Sequence, residues 1–217
     1  MTPAAVDIAA VHDMTRRTVK AFVRAAGGSR TEPLGWGLDS VPHKGIAVVC
    51  MIVIRTDRLV LRQLELQDAE FILELLNEAQ FLRFIGDKGV RTSDDARAYI
   101  LKGPRDSYER NGFGLYAACL LDGTPAGICG LVKREGLADV DVGFAFLARH
   151  CAQGYAVESA SAVLAHARQA LRLQRIVAIT SPENFGSIAV LERIGLKFER
   201  MIRLAEHSAE LKLFGSA

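Results

Sequence analysis

Val140-Asp141-Val142-Gly143-Phe144-Ala145-Phe146-Leu147-Ala148-Arg149-His150-Cys151-Ala152-Gln153-Gly154-Tyr155-Ala156-Val157-Glu158 is the stretch on which the fold turns. Its first half alternates. Val140, Val142, Phe144 and Phe146 share one face, and Asp139, Asp141, Gly143 and Ala145 share the other. That period predicts a strand over Val140–Leu147. Its end opens a helix predicted over Tyr155–Leu171. Between the two, small residues (Ala152, Gly154, Ala156) bring the chain to the helix start. The first amides of a helix lack intrahelical acceptors and carry partial positive charge. Small neighbours let a diphosphate approach those amides. A glycine between strand and helix is equally natural as a plain turn, so spacing alone leaves both readings open.

Downstream, the pattern predicts a strand at Arg175–Thr180 and a short helix at Ser187–Ile194 ended by Gly195. Two strands follow, Leu196–Arg203 and Glu210–Phe214. Upstream, it predicts one strand over Ile52–Arg62 and a helix over Asp68–Glu78 with Phe71, Ile72, Leu75 and Leu76 as its apolar stripe. A second helix starts at Thr92-Ser93-Asp94-Asp95 and runs towards Arg110, broken or kinked at Pro104. Strands at Gly114–Leu121 and Ala126–Val132 flank the hairpin turn Asp122-Gly123, and Arg134–Ala138 is a polar loop. Antiparallel strands followed by a strand–helix–strand unit indicate an α/β (α+β) fold: a mixed, mostly antiparallel sheet flanked by helices.

Residues 1–50 differ from the rest. An Ala-rich segment with some helical spacing ends at Gly27-Gly28, and a Gly-, Pro- and Ser-rich stretch follows. This extension reads either as a short regulatory or dimerising helix or as a non-functional part upstream of a start at Met51. The domain proper is expected over residues 51–217. From residue 52 onward the basic and acidic residues cancel, so the formal +2 belongs to the extension. A neutral domain gives no argument for nucleic acid or for an anionic membrane surface. Cys50, Cys119, Cys129 and Cys151 form no C-x-x-C pair, so neither a structural zinc nor another metal site is expected. With no secretory signal ahead of them they read as reduced thiols in a cytoplasmic protein. The longest apolar run, Ile46–Ile54, falls far short of the roughly 20 residues of a membrane span.

Several ordered segments resemble the GNAT acetyltransferases. Val140–Ser159 is similar to their motif A, a strand followed by Q/R-x-x-G-x-G/A and a helix, here Cys151 to Ala156. The wider match is to the ribosomal-protein acetyltransferase-like branch. That branch has a strand like Thr56–Arg62, an acid-x-Gly-aromatic strand like Asp141–Phe144 and a G-Y-A-x-E start like Gly154–Glu158. Its ending, N-x-x-S-x-x-V-L-E-R-x-G, corresponds to Asn184, Ser187, Val190, Leu191, Glu192, Arg193 and Gly195. The resemblance spans about residues 52–214 and implies splayed central strands, acetyl-CoA as acyl donor and an amine as acceptor. The acceptor is either a small molecule or a protein N-terminus, and monomer and homodimer stay equally open. Two positions depart from the pattern. Cys151 stands where the superfamily has Gln or Arg and this branch often Trp, and Ala152 stands where the branch commonly has Gly. These departures keep open a second class, a coenzyme-binding domain with a regulatory role and no turnover.

The resemblance also implies roles. Gln153, Gly154, Tyr155 and Ala156 would meet the pyrophosphate, with Tyr155 mainly packing. Backbone N–H groups near Phe146, Leu147 and Ala148 would meet the pantetheine arm and hold the oxyanion. Asp141 is the candidate base, acting through water, with Asp139 as fallback; a solvated or salt-bridged strand Asp is its plain alternative. Asn184 would hold the pantetheine or orient the acetyl group, or else serve only an Asx-turn. Ser187 would protonate the leaving thiolate, since Ile188–Ile194 lacks the Tyr many family members use; otherwise it caps the short helix. Apart from the resemblance, His150 beside the loop reads first as plain surface, with a phosphate contact or base as its alternative. Arg193 reads first as a solvated helix face, with a place near the nucleotide as its alternative.

Overall fold

The computed structural model describes residues 51–206 and 208–216. The extension and its two readings lie outside these residues. One eight-stranded sheet runs β1 (Ile52–Arg55), β2 (Leu59–Arg62), β3 (Leu115–Leu120), β4 (Pro125–Val132), β5 (Val140–Phe146), β6 (Ile176–Thr180), β8 (Leu211–Gly215), β7 (Lys197–Ile202). Every neighbouring pair is antiparallel except β5 and β6. The helices are α1 (Ala69–Leu76), α2 (Ala79–Phe84), α3 (Ser93–Ile100), α4 (Asp106–Asn111), α5 (Tyr155–Gln169) and α6 (Phe185–Arg193).

The sheet separates two cores. On one face α5 buries Ala160, Val163, Leu164 and Ala167 against Val140, Val142, Phe144 and Phe146 of β5. Those helix positions are spaced i, i+3, i+4, i+7, which places them on one stripe. On the other face Ile72, Leu75, Leu76 and Ile100 of α1 and α3 pack with Ala117, Ile128, Ala145 and Leu147. The two faces expected for β5 are therefore the two faces observed. Leu147 itself falls just past the strand end.

Three sequence expectations are corrected. The single strand over Ile52–Arg62 is a tight hairpin, β1 and β2, turning at Thr56–Arg58. Thr56 explains the reversal: its Oγ1 accepts from Leu59 N–H at 2.9 Å and its own N–H donates to Leu59 O at 2.9 Å. Of the two outcomes expected at Pro104, the break does not occur and the helix is locally distorted instead. A wide π-helical segment, Leu101–Arg105, carries the chain from α3 into α4 around the missing proline donor. The last helix starts at Phe185 instead of Ser187, because Asn184 is the cap: its Oδ1 accepts from Ser187 N–H at 3.0 Å. Thr92 caps α3 as expected, accepting from Asp95 N–H at 3.1 Å. Near the α1 start, Arg62 and Asp68 form a buried two-pronged ion pair, 2.7 Å on each arm.

Candidate active site

Parallel β5 and β6 separate almost at once. They pair only at Val140 with Ile176 and Asp141 with Val177, and then diverge. Leu147 N–H donates to Ala126 O at 3.0 Å, on the β4 side. Antiparallel alternation therefore turns the amides of Phe144 and Phe146 to the opposite side, where β6 has left. This opened edge forms part of the wall of a cavity of 830 Å³. Phe146, Ala148, Gly154, Tyr155, Ala156 and Ser187 line one end of it, and Asp141 and Arg134 line the other.

The first end is built around the start of α5. No side chain caps this helix, and its first intrahelical bond is Glu158 N–H to Gly154 O. The amides of Tyr155, Ala156 and Val157 therefore have no helical acceptor, and all three residues line the cavity. Gly154 reaches this geometry at φ 84°. Ala152 also sits in the left-handed region, at φ 59°, where glycine is favoured and alanine is strained. The loop is held from outside. Arg58 Nη1 donates to Gln153 O at 3.0 Å, and its guanidinium lies 4.8 Å from the Tyr155 ring centre. Glu158 then fixes the hairpin that carries Arg58. Its Oε1 accepts from the Thr56 hydroxyl at 2.6 Å and from Arg58 N–H at 2.9 Å, and its Oε2 from Arg58 Nε at 2.7 Å.

At the other end Asp141 is buried, 1% exposed. Oδ2 accepts from Arg134 Nε at 2.8 Å, while Oδ1 has no partner. Burial pushes its carboxyl above the usual range, and the Arg134 charge pulls part of the way back. Of the plain alternative, a solvated or salt-bridged Asp, the solvated form does not hold and the salt-bridged form does. Asp139 instead pairs with Arg175 at 2.9 Å and does not line the cavity.

Other expected residues fall differently. Leu147 is fully buried with its amide engaged, and it does not face the cavity. Ala148 lines the cavity, but its N–H donates to both Glu78 carboxylate oxygens, at 3.1 and 3.0 Å. Of the three amides expected to be open, only that of Phe146 is left on the free edge. Gln153 turns its side chain back to Arg149 O, 2.9 Å away, and points no donor into the cavity. Asn184, Ser187 and Arg193 line the cavity near α6. His150 lines it too, its Nε2 buried and unpaired. Cys151 is an exposed free thiol whose pKa burial and then Glu78 raise, so it brings no charge to the loop. Sequence reasoning gave no role to Arg58, Glu158, Arg134 or Glu78. The first two stood inside quoted motifs, which was the signal available.

Residues 58–197 match the profile of the Acetyltransferase (GNAT) domain. The chain belongs to the GNAT acetyltransferase family. The uncharacterized N-acetyltransferase YnaD of Bacillus subtilis (strain 168) is 31% identical over 147 residues, 67% of this chain and 83% of YnaD. The solved GNAT acetyltransferase of Bacillus anthracis is 25% identical with a TM-score of 0.62, over 75% of this chain and 96% of that one. RimL, a ribosomal L7/L12 alpha-N-protein acetyltransferase solved with coenzyme A, has a TM-score of 0.67 at 17% identity, over 76% of this chain and 96% of RimL; at that identity the likeness is one of fold. This GNAT chain is an acetyl-CoA-dependent N-acetyltransferase. The splayed β5 and β6 and the mostly antiparallel sheet are those of the family fold.

Proposed function

We propose that this GNAT enzyme acetylates a primary amine by direct attack, with the coenzyme and acceptor entering opposite ends of the 830 Å³ cavity. The observation that carries this reading is continuity. One cavity joins the uncapped start of α5, the opened edge of β5 and the buried carboxylate of Asp141. The donor's diphosphate fits the amides of Tyr155, Ala156 and Val157, where small side chains leave the backbone accessible. Acetyl-CoA supplies an acyl group activated as a thioester.

This chain's own groups do the rest. Phe146 N–H, on the open edge, holds the oxyanion as charge develops there. An alkyl amine has a pKa near about 10.4 and must shed a proton before it attacks. Asp141 receives that proton on Oδ1 through one or more waters, because it stands five positions along β5 from the Phe146 amide. Its raised pKa brings a carboxylate closer to the operating pH of a general base. Asn184 shapes the thioester end through the first turn of α6, and the Ser187 hydroxyl returns a proton to the departing thiolate.

The test is calorimetry with acetyl-CoA followed by thiol release over a panel of primary amines. We expect saturable binding, and release that depends on an amine. A chain that binds acetyl-CoA and releases no thiol with any amine would overturn the acceptor assignment.

A further inference from the structure

The acceptor end of the cavity is strongly basic, although its domain is neutral. Its carboxylates are already engaged: Asp141 with Arg134, Asp106 with Arg110 and Glu78 with the Ala148 amide. Lys88, Lys102 and Lys133 also line it, and among the described residues none of the three has a carboxylate partner. Lys133 meets only a carbonyl, that of Ala138 at 2.6 Å. Arg134 spends its Nε on Asp141, which leaves the outer edge of its guanidinium to the cavity.

These cations come from three separate segments: the loop after α2, the π-helical segment and the loop after β4. They line the same cavity as Asp141, whose Oδ1 is, among the described residues, a carboxylate oxygen that is both buried and unpaired. The three lysines are exposed and partly screened by solvent, yet like charges lining one cavity still repel one another, and an entering anion relieves that repulsion. Partial desolvation pushes the Lys88 ammonium below the usual lysine range, and the charge of Arg134 adds to it in the same direction.

Resting on the acceptor assignment made above, we infer that the preferred acceptor is an amine that also bears a carboxylate. The amine sits between the Phe146 amide and Asp141, and the carboxylate meets the lysine cluster and the planar outer edge of Arg134. A planar guanidinium matches a carboxylate in two-pronged geometry, and the lysines add point charges around it. Between them, the apolar wall of Phe81, Leu115 and Ile128 accommodates an alkyl spacer.

The test compares 5-aminopentanoate with 5-aminopentanamide, two amines of similar basicity that differ in charge. Thiol release from the full chain with acetyl-CoA gives kcat/KM for each, and calorimetry on the coenzyme A complex gives acceptor binding without turnover. The expected result is a preference of about tenfold or more for the carboxylate. It should fall towards one in the double variant Lys88→Gln/Lys102→Gln and persist in Lys197→Gln, a lysine outside the cavity. Equal values for the two amines in wild type, or a preference untouched by the double variant, overturn the inference while leaving amine acetylation intact. If neither amine is turned over but the carboxylate binds the coenzyme complex in a lysine-dependent way, the carboxylate subsite stands and the transfer reading falls. If neither amine is turned over or bound, both fall.

Discussion

Arg58 and Glu158 stand one hundred positions apart in the chain and meet at 2.6 Å, closing the β1–β2 turn onto the first turn of α5. Arg58 then braces the coenzyme loop by its bond to Gln153 O and its stacking on Tyr155. The pair is half exposed on the arginine side, so its worth lies in positioning more than in stability. Arg58→Ala should weaken acetyl-CoA binding by about tenfold, roughly 1.4 kcal/mol. The maximal rate should hardly change. Calorimetry and saturation kinetics check this; an unaltered dissociation constant would show that the loop holds its shape unaided.

Ala152 at φ 59° has a different consequence. A left-handed alanine costs about 1–2 kcal/mol. Glycine there loses about 0.4–1 kcal/mol to greater freedom of the unfolded chain. The two nearly cancel, with a small balance in favour of glycine. Ala152→Gly should therefore raise the thermal midpoint slightly or leave it unmoved. Ala152→Val, which adds a β-branched side chain at the same angle, should lower it. A clear rise with valine would contradict this account of the loop.

As the proposed base, Asp141 should govern the acid limb of the rate. Its folded pKa is raised above the unfolded value by burial, so the base is ionised only at pH above that raised value. kcat/KM should fall as pH drops through it, at a pH higher than an ordinary carboxylate would give. Stability runs the other way. The folded chain binds this proton more tightly than the unfolded chain, so the associated stabilisation is present below the unfolded pKa and lost as pH rises through the folded one. Asp141→Asn should remove both dependences and lower turnover about a hundredfold or more, with acetyl-CoA binding nearly intact. An unshifted acid limb in the variant would exclude Asp141 as the base.

The buried Arg62–Asp68 pair is structural. Each residue is 6% exposed, and both carboxylate oxygens accept from the guanidinium. Asp68→Ala removes the carboxylate that faces the buried guanidinium, which keeps the Gln63 carbonyl at 3.1 Å, and should cost about 3 kcal/mol in denaturant unfolding. A loss under 1 kcal/mol would mean that water reaches Arg62.

Much of the fold could be read along the chain. The alternation of Val140–Phe146, the Thr92 cap and the Asp122-Gly123 turn are local features, and their periods and side-chain bonds act within a few residues. The hairpin at Thr56 was missed because Leu59 and Leu61 continue an alternating pattern through a reversal. The reversal itself depends on a hydroxyl that Glu158 also holds from far along the chain. The motifs pointed to segments that line one cavity, but did not resolve them atom by atom. Which of the amides at Phe146, Leu147 and Ala148 stays open depends on β4 pairing and on Glu78, and neither is visible in that segment.

By itself, then, the sequence determined the mixed sheet, the order of its elements and a helix start stripped of bulk, because propensity and pattern are short-range. Tertiary structure alone decided that Asp141 would be buried with one oxygen bare, and that lysines from three distant segments would line the same cavity. Charges that cancel along a chain need not cancel in space, and folding chose which of them would face one another.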